Sequence, residues 1–327
     1  MQQSVETFGH LPDGRAVERV TLRVGALSIK LLCWGAILQD LRFGELGYSL
    51  TQGSASLGPY LDTMRYHGPI IGPVVNRITG AKAQIGDQTH MFGANQTPNI
   101  CLHSGETGSY QQMWHLQDVQ PDRATLTLEM PDGQGGFPGN RQITATFALL
   151  PEARLRLTIS AKSDAPTLFN FANHSYWNLD GTDSYAGHIL EIAADNFLPT
   201  TAHMTPTGDI VPTNGTKYDF RTPRPVSAHA PAFDTNFCLS QTAQVLRPVL
   251  ELTGQSGVKM RMSTTETGMQ VYDARDTGKP YSALAFEAQS WPDAPNHSTF
   301  PSILYRADVA YHQITEWQFY APPLVIA

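Results

Sequence analysis

Charged residues are scarce in this chain, and no stretch of it is rich in lysine or arginine. They make up 16% of the 327 residues, against ~25% in typical soluble domains. The formal net charge is −7. Nucleic acids and anionic membranes both favour basic clusters in the proteins that bind them. The sequence therefore argues against nucleic acid and against a membrane surface as partner.

Cysteines and long apolar segments are equally rare. Cys33, Cys101 and Cys238 are spaced too widely for a zinc or redox motif, and we expect them to be reduced and buried. No apolar stretch reaches the ~18 residues of a membrane helix. The N-terminal sequence MQQSVETFGHLPDG has neither the basic nor the apolar region of a signal peptide. These absences predict a cytoplasmic protein.

The common motifs for cofactors and nucleophiles are also missing. We find no P-loop, no dinucleotide-binding glycine fingerprint and no GxSxG elbow. A catalytic zinc needs three protein ligands, often with a short-range histidine pair, and neither His103 nor His174 has another histidine close to it in the sequence. The sequence therefore predicts neither a metal nor a cofactor.

The chain does contain, from end to end, the period-two alternation of half-buried strands. Apolar and polar residues alternate in 124–130, 143–147, 155–160 and 258–263. The 27 glycines and 23 prolines cluster between such segments, as expected of turns. No amphipathic pattern of a dozen residues predicts a helix. The apolar run at 31–38 predicts one more strand, buried on both faces, although its period alone does not exclude a helix.

These patterns predict an all-β fold. No shift in composition, linker or repeat divides the chain, and a single all-β domain can reach ~250 residues. One large antiparallel β-sandwich fits the many strands best, with residues 1–327 forming a single domain. Fold alone does not determine function, so the chemistry has to be sought in particular residues.

One short segment, 169–179, combines an imidazole with amides and aromatic rings. In its sequence, FNFANHSYWNL, His174 lies between asparagines and aromatic residues. The apolar face of a sugar packs on aromatic rings, and its hydroxyls need fixed hydrogen-bond partners. His174 is therefore a candidate site residue, and the alternative is a structural histidine with its hydrogen bonds satisfied.

A carboxylate interrupts the apolar, strand-like segment 281–289. Alternation places Glu287 on the same face as Ala283, Ala285 and Gln289, so its neighbours leave space around it. A buried carboxylate is costly unless it is paired or functional. Burial would raise its pKa toward the range of a general base. The alternative is a structural glutamate bonded to a nearby polar group.

Three further segments carry candidate binding residues. Asn76 and Arg77 follow a stretch rich in glycine and proline. His103 comes shortly before a flexible glycine, in His-Ser-Gly, and Asp234 lies among aromatic residues. Each also has a plain structural explanation. The arginine could pin a loop, the histidine could be an ordinary loop residue, and the aspartate could cap a turn.

Seven segments, in order along nearly the whole chain, resemble the aldose 1-epimerase (galactose mutarotase) family. The most specific are NHSYWNL at 173–179 and FEAQSWPDAPNHSTFPS at 286–302. The others are NRI at 76–78, LHSG at 102–105, GTKYDFR at 215–221, FDTNFCL at 233–239 and GMQVY at 268–272. A chance occurrence of all seven in this order is very unusual.

The resemblance implies a fold, a reaction and a set of site residues. The implied fold is a large antiparallel β-sandwich of the galactose mutarotase type, a supersandwich. The implied enzyme is an isomerase that interconverts the α and β anomers of a free aldose without a cofactor. Glu287 is implied as general base and His174 as general acid. Sugar contacts are implied for Asn76, Arg77, His103, Tyr176, Asp234 and Gln270.

Two segments depart from the family's pattern. Pro73 and Val74 occupy the region where the family usually has an arginine just before NRI. The loop from Glu106 to Trp114 lacks the family's usual Gly-Phe-Asp run before its tryptophan. Both departures concern the preferred sugar rather than the reaction.

Three other functions remain open at this point. A hexose-phosphate epimerase of the same superfamily would need an arginine and lysine cluster, for which Arg221 and Arg224 are the candidates. A glycoside hydrolase would use a carboxylate pair such as Glu287 and Asp234. A non-catalytic sugar-binding sandwich would need neither Glu287 nor His174.

The implied acid and base also predict a pH dependence. We expect burial to raise the pKa of Glu287 and a nearby carboxylate to raise that of His174. The activity should then follow a bell, with the acid limb from the carboxylate and the alkaline limb from the imidazole.

Overall fold

Antiparallel strands make up nearly all of the regular structure in the computed structural model, which describes residues 2–321. This confirms the all-β prediction. No helix in this range is long and apolar enough to span a membrane. The helical elements described are short 3₁₀ helices at Gly58–Leu61, Gly105–Thr107, Ser109–Gln111, Gln134–Gly136 and Ala294–Asn296. The predicted single domain also included residues 1 and 322–327, which lie outside the described residues.

Three sheets contain most of the strands. The N-terminal sheet has the order Gln2–His10, Ala16–Val24, Leu27–Leu32, Ile37–Phe43. The large sheet has the order His115–Gln120, Arg123–Met130, Arg141–Leu150, Arg154–Ser163, Tyr311–Tyr320, Lys259–Thr264, Arg247–Thr253, Ile189–Ile192, Arg224–Pro225. The site sheet has the order Tyr176–Trp177, Leu284–Gln289, Gly268–Tyr272, Asp234–Cys238, Asn196–Leu198, Val211–Pro212.

Four two-stranded ribbons complete the strands of the described range. The pairs are Thr167–Leu168 with Leu304–Tyr305, Ile70–Ile71 with Ala172–Asn173, Arg77–Thr79 with Ile100–Leu102, and Lys82–Ile85 with Gln88–Met91. Two of these ribbons carry predicted site residues at or next to their ends, and they lie beside the site sheet.

All four segments that alternation marked as strands are central strands of the large sheet. The prediction of one strand at 31–38 is wrong, because this run spans two strands. Leu27–Leu32 ends within it, and Ile37–Phe43 begins after a turn at Gly35 and Ala36. Both of these turn residues have positive φ values, 65° and 48°, which an extended strand does not allow. A continuous apolar run indicates that the segment is buried, but it does not indicate where one strand ends and the next begins.

The large sheet packs against the site sheet to form the core of the sandwich. Trp177 of the site sheet lies 5.8 Å from Trp317 and 5.9 Å from Phe319 of the large sheet, measured between ring centroids. Phe286 belongs to the same cluster of buried side chains. Since neighbouring residues of a strand face opposite ways, Glu287 points away from this core, as the alternation predicted.

All three cysteines are buried free thiols, as predicted. Burial raises the pKa of Cys33, Cys101 and Cys238 to about 12 in each case. A thiol with such a pKa stays protonated at neutral pH, so these side chains act as small apolar groups rather than nucleophiles.

Candidate active site

The face of the site sheet that points away from the core carries two rows of functional side chains. Register pairs Gln270 with both Asn236 and Glu287 in one row. In the next row, Asp234, Tyr272, Ala285 and Tyr176 are neighbours across four strands. Residues from four distant parts of the sequence thus meet on one surface, because antiparallel pairing aligns them side by side.

A cavity of about 480 Å³ opens over these rows. Seven of the eight predicted site residues line it: Asn76, Arg77, His103, His174, Tyr176, Asp234 and Glu287. Gln270 does not line this cavity. Its Nε2 donates a 2.6 Å hydrogen bond to Asp234 Oδ1, so it positions a residue that does line the cavity. Its direct contact with a sugar stays a prediction.

The backbone fixes His174 close to Glu287. His174 N donates to Pro69 O and its carbonyl accepts from Gly68 N, both at 2.9 Å. Gly68 has a φ of 88°, and a Cβ there would lie 2.4 Å from the carbonyl oxygen of Leu38, so only glycine fits. This arrangement places His174 Nε2 3.5 Å from Glu287 Oε1. Nδ1 of His174 and Oε2 of Glu287 are buried without a hydrogen-bond partner among the described residues.

Burial sets the protonation of this pair. Burial raises the pKa of Glu287 to about 8, and the Asp234 carboxylate adds to the shift while Arg77 opposes it. Burial lowers the pKa of His174 to about 3. At neutral pH the pair therefore carries one proton, mostly on Glu287.

The expected increase in the pKa of His174 is thus wrong, whereas the direction expected for Glu287 agrees with the structure. An increase would require an ionised carboxylate beside the imidazole. Because burial keeps Glu287 protonated, this carboxyl group supplies no negative charge to stabilise an imidazolium at neutral pH. The cost of burying the charged His174 therefore outweighs the backbone hydrogen bond that opposes it.

His103 and Asn76 are held together by two hydrogen bonds. Asn76 N donates to His103 Nδ1 at 3.1 Å, and His103 N donates to Asn76 O at 2.9 Å. Both residues have left-handed φ values, 65° and 53°, a strained conformation that the two hydrogen bonds maintain. Because Nδ1 accepts a hydrogen bond, the ring proton of a neutral His103 is on Nε2. Burial lowers the pKa of His103, so the ring is neutral and acts as a donor.

Arg77 is tied to the same wall through Asp234. Its guanidinium donates to Asp234 Oδ2 at 3.2 Å and to Gln96 Oε1 at 3.1 Å. Asp234 thus accepts from Arg77 on one oxygen and from Gln270 on the other. The chain of hydrogen bonds holds a cation and a carboxylate at fixed positions on the cavity wall, where they can bind hydroxyl groups.

Three of these residues could be considered as metal ligands. His103, His174 and Glu287 each offer one ligand atom, and these atoms lie within 4.8 Å of one another. His103 and His174 are far apart in the sequence but are neighbours in space, with ring centroids 5.4 Å apart. A histidine that binds a metal normally donates its other N–H. The bond from Asn76 to Nδ1 of His103 leaves neither ring nitrogen with a free lone pair, so the trio suits hydroxyl groups better than a metal ion.

Sequence reasoning missed several residues of the site. Tyr66 and His67 line the cavity immediately before the glycine- and proline-rich stretch that drew attention to Asn76. Tyr272 lines it within the GMQVY segment. Asp293 lies outside the cavity but accepts from the backbone N and hydroxyl of Thr79, at 3.0 and 2.6 Å, and so anchors the strand that carries Arg77. Aromatic residues beside a glycine turn were the available signal.

Comparison with known proteins shows the family to which the chain belongs. Residues 18–317 match the family described as aldose 1-epimerase. This chain belongs to the aldose 1-epimerase family. The predictions of the family, of an isomerase and of an aldose 1-epimerase function are thereby confirmed.

Individual relatives of the family align over almost the whole chain. Galactose mutarotase of Mus musculus is 32% identical, over 95% of this chain and 97% of its own length. Aldose 1-epimerase of Escherichia coli (strain K12) is 29% identical, over 97% and 99%. The crystal structure of galactose 1-epimerase from Lactobacillus acidophilus has a TM-score of 0.87, with 22% identity, 98% of this chain and 99% of that one covered. This last similarity supports the fold.

Proposed function

We propose that this member of the aldose 1-epimerase family interconverts the α and β anomers of a free aldose, with Glu287 as the base and His174 as the acid. The observation that supports the roles is the pair itself, which is buried in the cavity wall 3.5 Å apart and carries one proton at neutral pH. A reaction that removes one proton from a sugar and returns one to it needs a pair of this kind.

Opening of a cyclic hemiacetal requires removal of the C1 hydroxyl proton and protonation of the ring oxygen. The shared proton moves to His174, the Glu287 carboxylate takes the proton of the C1 hydroxyl, and His174 protonates the ring oxygen. The opening step leaves Glu287 protonated and His174 neutral, which is the arrangement that burial favours. The bond between C1 and the ring oxygen breaks, and the C1 oxygen becomes the aldehyde.

Rotation about the C1–C2 bond then presents the other face of the aldehyde to the C5 oxygen. The reverse transfers close the ring as the opposite anomer, and no net proton is consumed. His103 donates from Nε2 to an oxygen that gains negative charge during these steps. Arg77 and Asp234 bind hydroxyls and keep the open-chain sugar in the cavity. Each positioned acid or base typically contributes ~10²–10⁴-fold to the rate.

The hexose-phosphate alternative has little support in the site. Arg221, one of its two candidates, forms ion pairs with Asp219 at 2.8 Å and Asp195 at 3.3 Å and does not line the cavity. Arg224 does not line it either. The arginines of the cavity wall are Arg65 and Arg77, and Arg77 is already paired with Asp234. A free aldose therefore fits the polarity of the wall better than a dianionic phosphate.

Polarimetry tests the proposed function. Freshly dissolved α-D-glucose, α-D-galactose and crystalline pentose anomers should approach their equilibrium rotation faster with the protein than in buffer. The rate should be unchanged by EDTA, because no step uses a metal. Protein with Glu287→Gln is the matched control. If no aldose equilibrates faster than in buffer, the proposed function is wrong.

A further inference from the structure

A third histidine of the cavity, His67, has no part in the acid–base chemistry. It lines the cavity but is not among the three residues whose atoms meet at the Glu287 pair. The residue is buried, with an exposed fraction of 5%. Nδ1 of His67 is buried and has no hydrogen-bond partner among the described residues. A buried polar atom without a partner costs ~1–3 kcal/mol, so its presence calls for an explanation.

The position of His67 is tightly determined. The backbone N of His67 donates to Met64 O at 2.9 Å, and the next residue, Gly68, is bonded to His174. The ring of His67 stacks on Tyr176 with centroids 4.3 Å apart and planes 23° apart. Tyr176 in turn lies 5.1 Å from the ring of His174. His67 therefore belongs to the same aromatic wall as the acid–base pair and reaches the cavity at a different point.

The protonation state of His67 suits a hydroxyl ligand. Burial lowers the pKa of His67 to about 4, and the Met64 carbonyl opposes this shift only in part. The ring is therefore neutral at neutral pH, with one N–H donor and one acceptor nitrogen. A sugar hydroxyl is likewise both donor and acceptor. A neutral ring also adds no positive charge beside His174, whose pKa a charged His67 would lower further.

We propose that His67 is a specificity-determining residue of the sugar site, whose imidazole hydrogen-bonds a hydroxyl of the aldose other than that at C1. The stacked face of its ring supports Tyr176, and its polar edge selects sugars that carry the hydroxyl. This inference rests on the proposed function and deepens it, because it concerns which aldose binds. A site that hydrogen-bonds a substrate hydroxyl discriminates against sugars that lack it, since its own polar group is then left unpaired.

The substitution His67→Phe separates this role from a structural one. Phenylalanine keeps the stacked ring but removes the unpartnered nitrogen. Replacing a buried polar group that has no partner by an apolar one of similar shape is neutral or stabilising. We therefore expect the melting temperature of the variant to equal or exceed that of the wild type. If His67 merely supports the fold, the melting temperature falls and activity falls with it for every sugar.

The decisive experiment crosses this variant with a series of deoxy sugars. The assay compares wild type with His67→Phe and with the control His115→Phe, which lies on an exposed strand of the large sheet. Each protein is tested with the preferred aldose and its 2-, 3-, 4- and 6-deoxy analogues. For the aldose, His67→Phe should lower kcat/KM about tenfold, mainly through KM, because the contact is remote from the reacting atoms. One deoxy analogue should lose a similar factor with wild type and show no further loss with the variant.

Every outcome of this series decides the proposal. A tenfold effect that persists for all analogues, or no effect for the aldose, overturns it. Calorimetric titration of the same sugars distinguishes a failure of this proposal from a failure of the proposed function. If the wild type binds the aldose but does not accelerate its mutarotation, the proposed function fails. The role of His67 is then decided by the Kd values. It is supported if one deoxy analogue and the variant show the same loss without adding, and it is overturned otherwise. If the wild type binds none of the sugars, both are overturned.

Discussion

Replacement of Glu287 by glutamine should uncouple the stability of this protein from its activity. Glutamine has the shape of a protonated glutamate but cannot ionise. The side chain of Glu287 is only 2% exposed, and its ionisation inside the protein is costly. We therefore expect the variant to fold, to lose activity, and to gain stability relative to the wild type as the pH rises.

The magnitude follows from the pKa of Glu287. Burial and the Asp234 carboxylate raise it from 4.5 to about 8 in the folded protein. A group with a raised folded-state pKa stabilises the fold below its unfolded-state pKa, and this contribution is lost as the pH rises through the folded-state pKa. At ~1.36 kcal/mol per pKa unit, the free energy of unfolding of the wild type should fall by about 4 kcal/mol between pH 5 and pH 9 because of Glu287.

The assay is urea unfolding of wild type and Glu287→Gln, followed by tryptophan fluorescence at pH steps from 5 to 9 and constant ionic strength. His174 contributes with the opposite sign, because its pKa is lowered and its stabilisation is lost as the pH falls below 6.5 toward 3. Since His174 is present in both proteins, its effect largely cancels in their difference. That difference should grow with pH in favour of the variant by about 4 kcal/mol. A difference that is flat, or that moves the other way, would refute the reasoning.

Three further predictions concern activity. Glu287→Gln and His174→Asn should each lower kcat at least ~10²-fold in polarimetry, and the double variant should lose far less than the product because the two groups act together; a fully active, folded Glu287→Gln contradicts the mechanism. The pH profile of kcat/KM should be a bell whose alkaline limb, near pH 8, reports loss of the shared proton from Glu287, and whose acid limb reports a second proton on His174; this reverses the assignment expected from the sequence, and an alkaline limb that persists in the residual activity of Glu287→Gln would contradict it. His103→Asn should lower kcat less than His174→Asn and also raise KM, because His103 donates a hydrogen bond without transferring a proton; an equal loss in kcat alone would argue that His103 is the acid.

Much of the fold could be predicted because the signal is local. Alternation along a strand reflects which side chains face the core, so the segments 124–130 and 143–147 could be recognised without knowing their partners. The run 31–38 could not be divided correctly, because two buried strands and the turn between them are all apolar. The order of the strands in the sheets depends on pairing between distant segments, and no local pattern records it.

The candidate site was recognised from residue types and from resemblance, but its geometry was not. Gln270 was expected to contact the sugar, and only the structure reveals that its side chain also donates a hydrogen bond to Asp234. Asp293 appeared in the sequence as part of a characteristic segment, and only its contacts with Thr79 reveal that it anchors the strand of Arg77. His67 was missed because a single histidine in a loop has no periodicity or spacing to distinguish it, and its place beside the glycine-rich turn was the only local signal.

The sequence by itself determined the all-β architecture and the set of groups that can perform the chemistry, because alternation and residue identity are properties of short segments. Only the tertiary structure decided that His103, His174 and Glu287 meet, and that burial moves the shared proton to Glu287. The physical reason is that a pKa depends on desolvation and on charges within a few ångströms. Both are set by residues far apart in the chain, which come together only when the sheets pack.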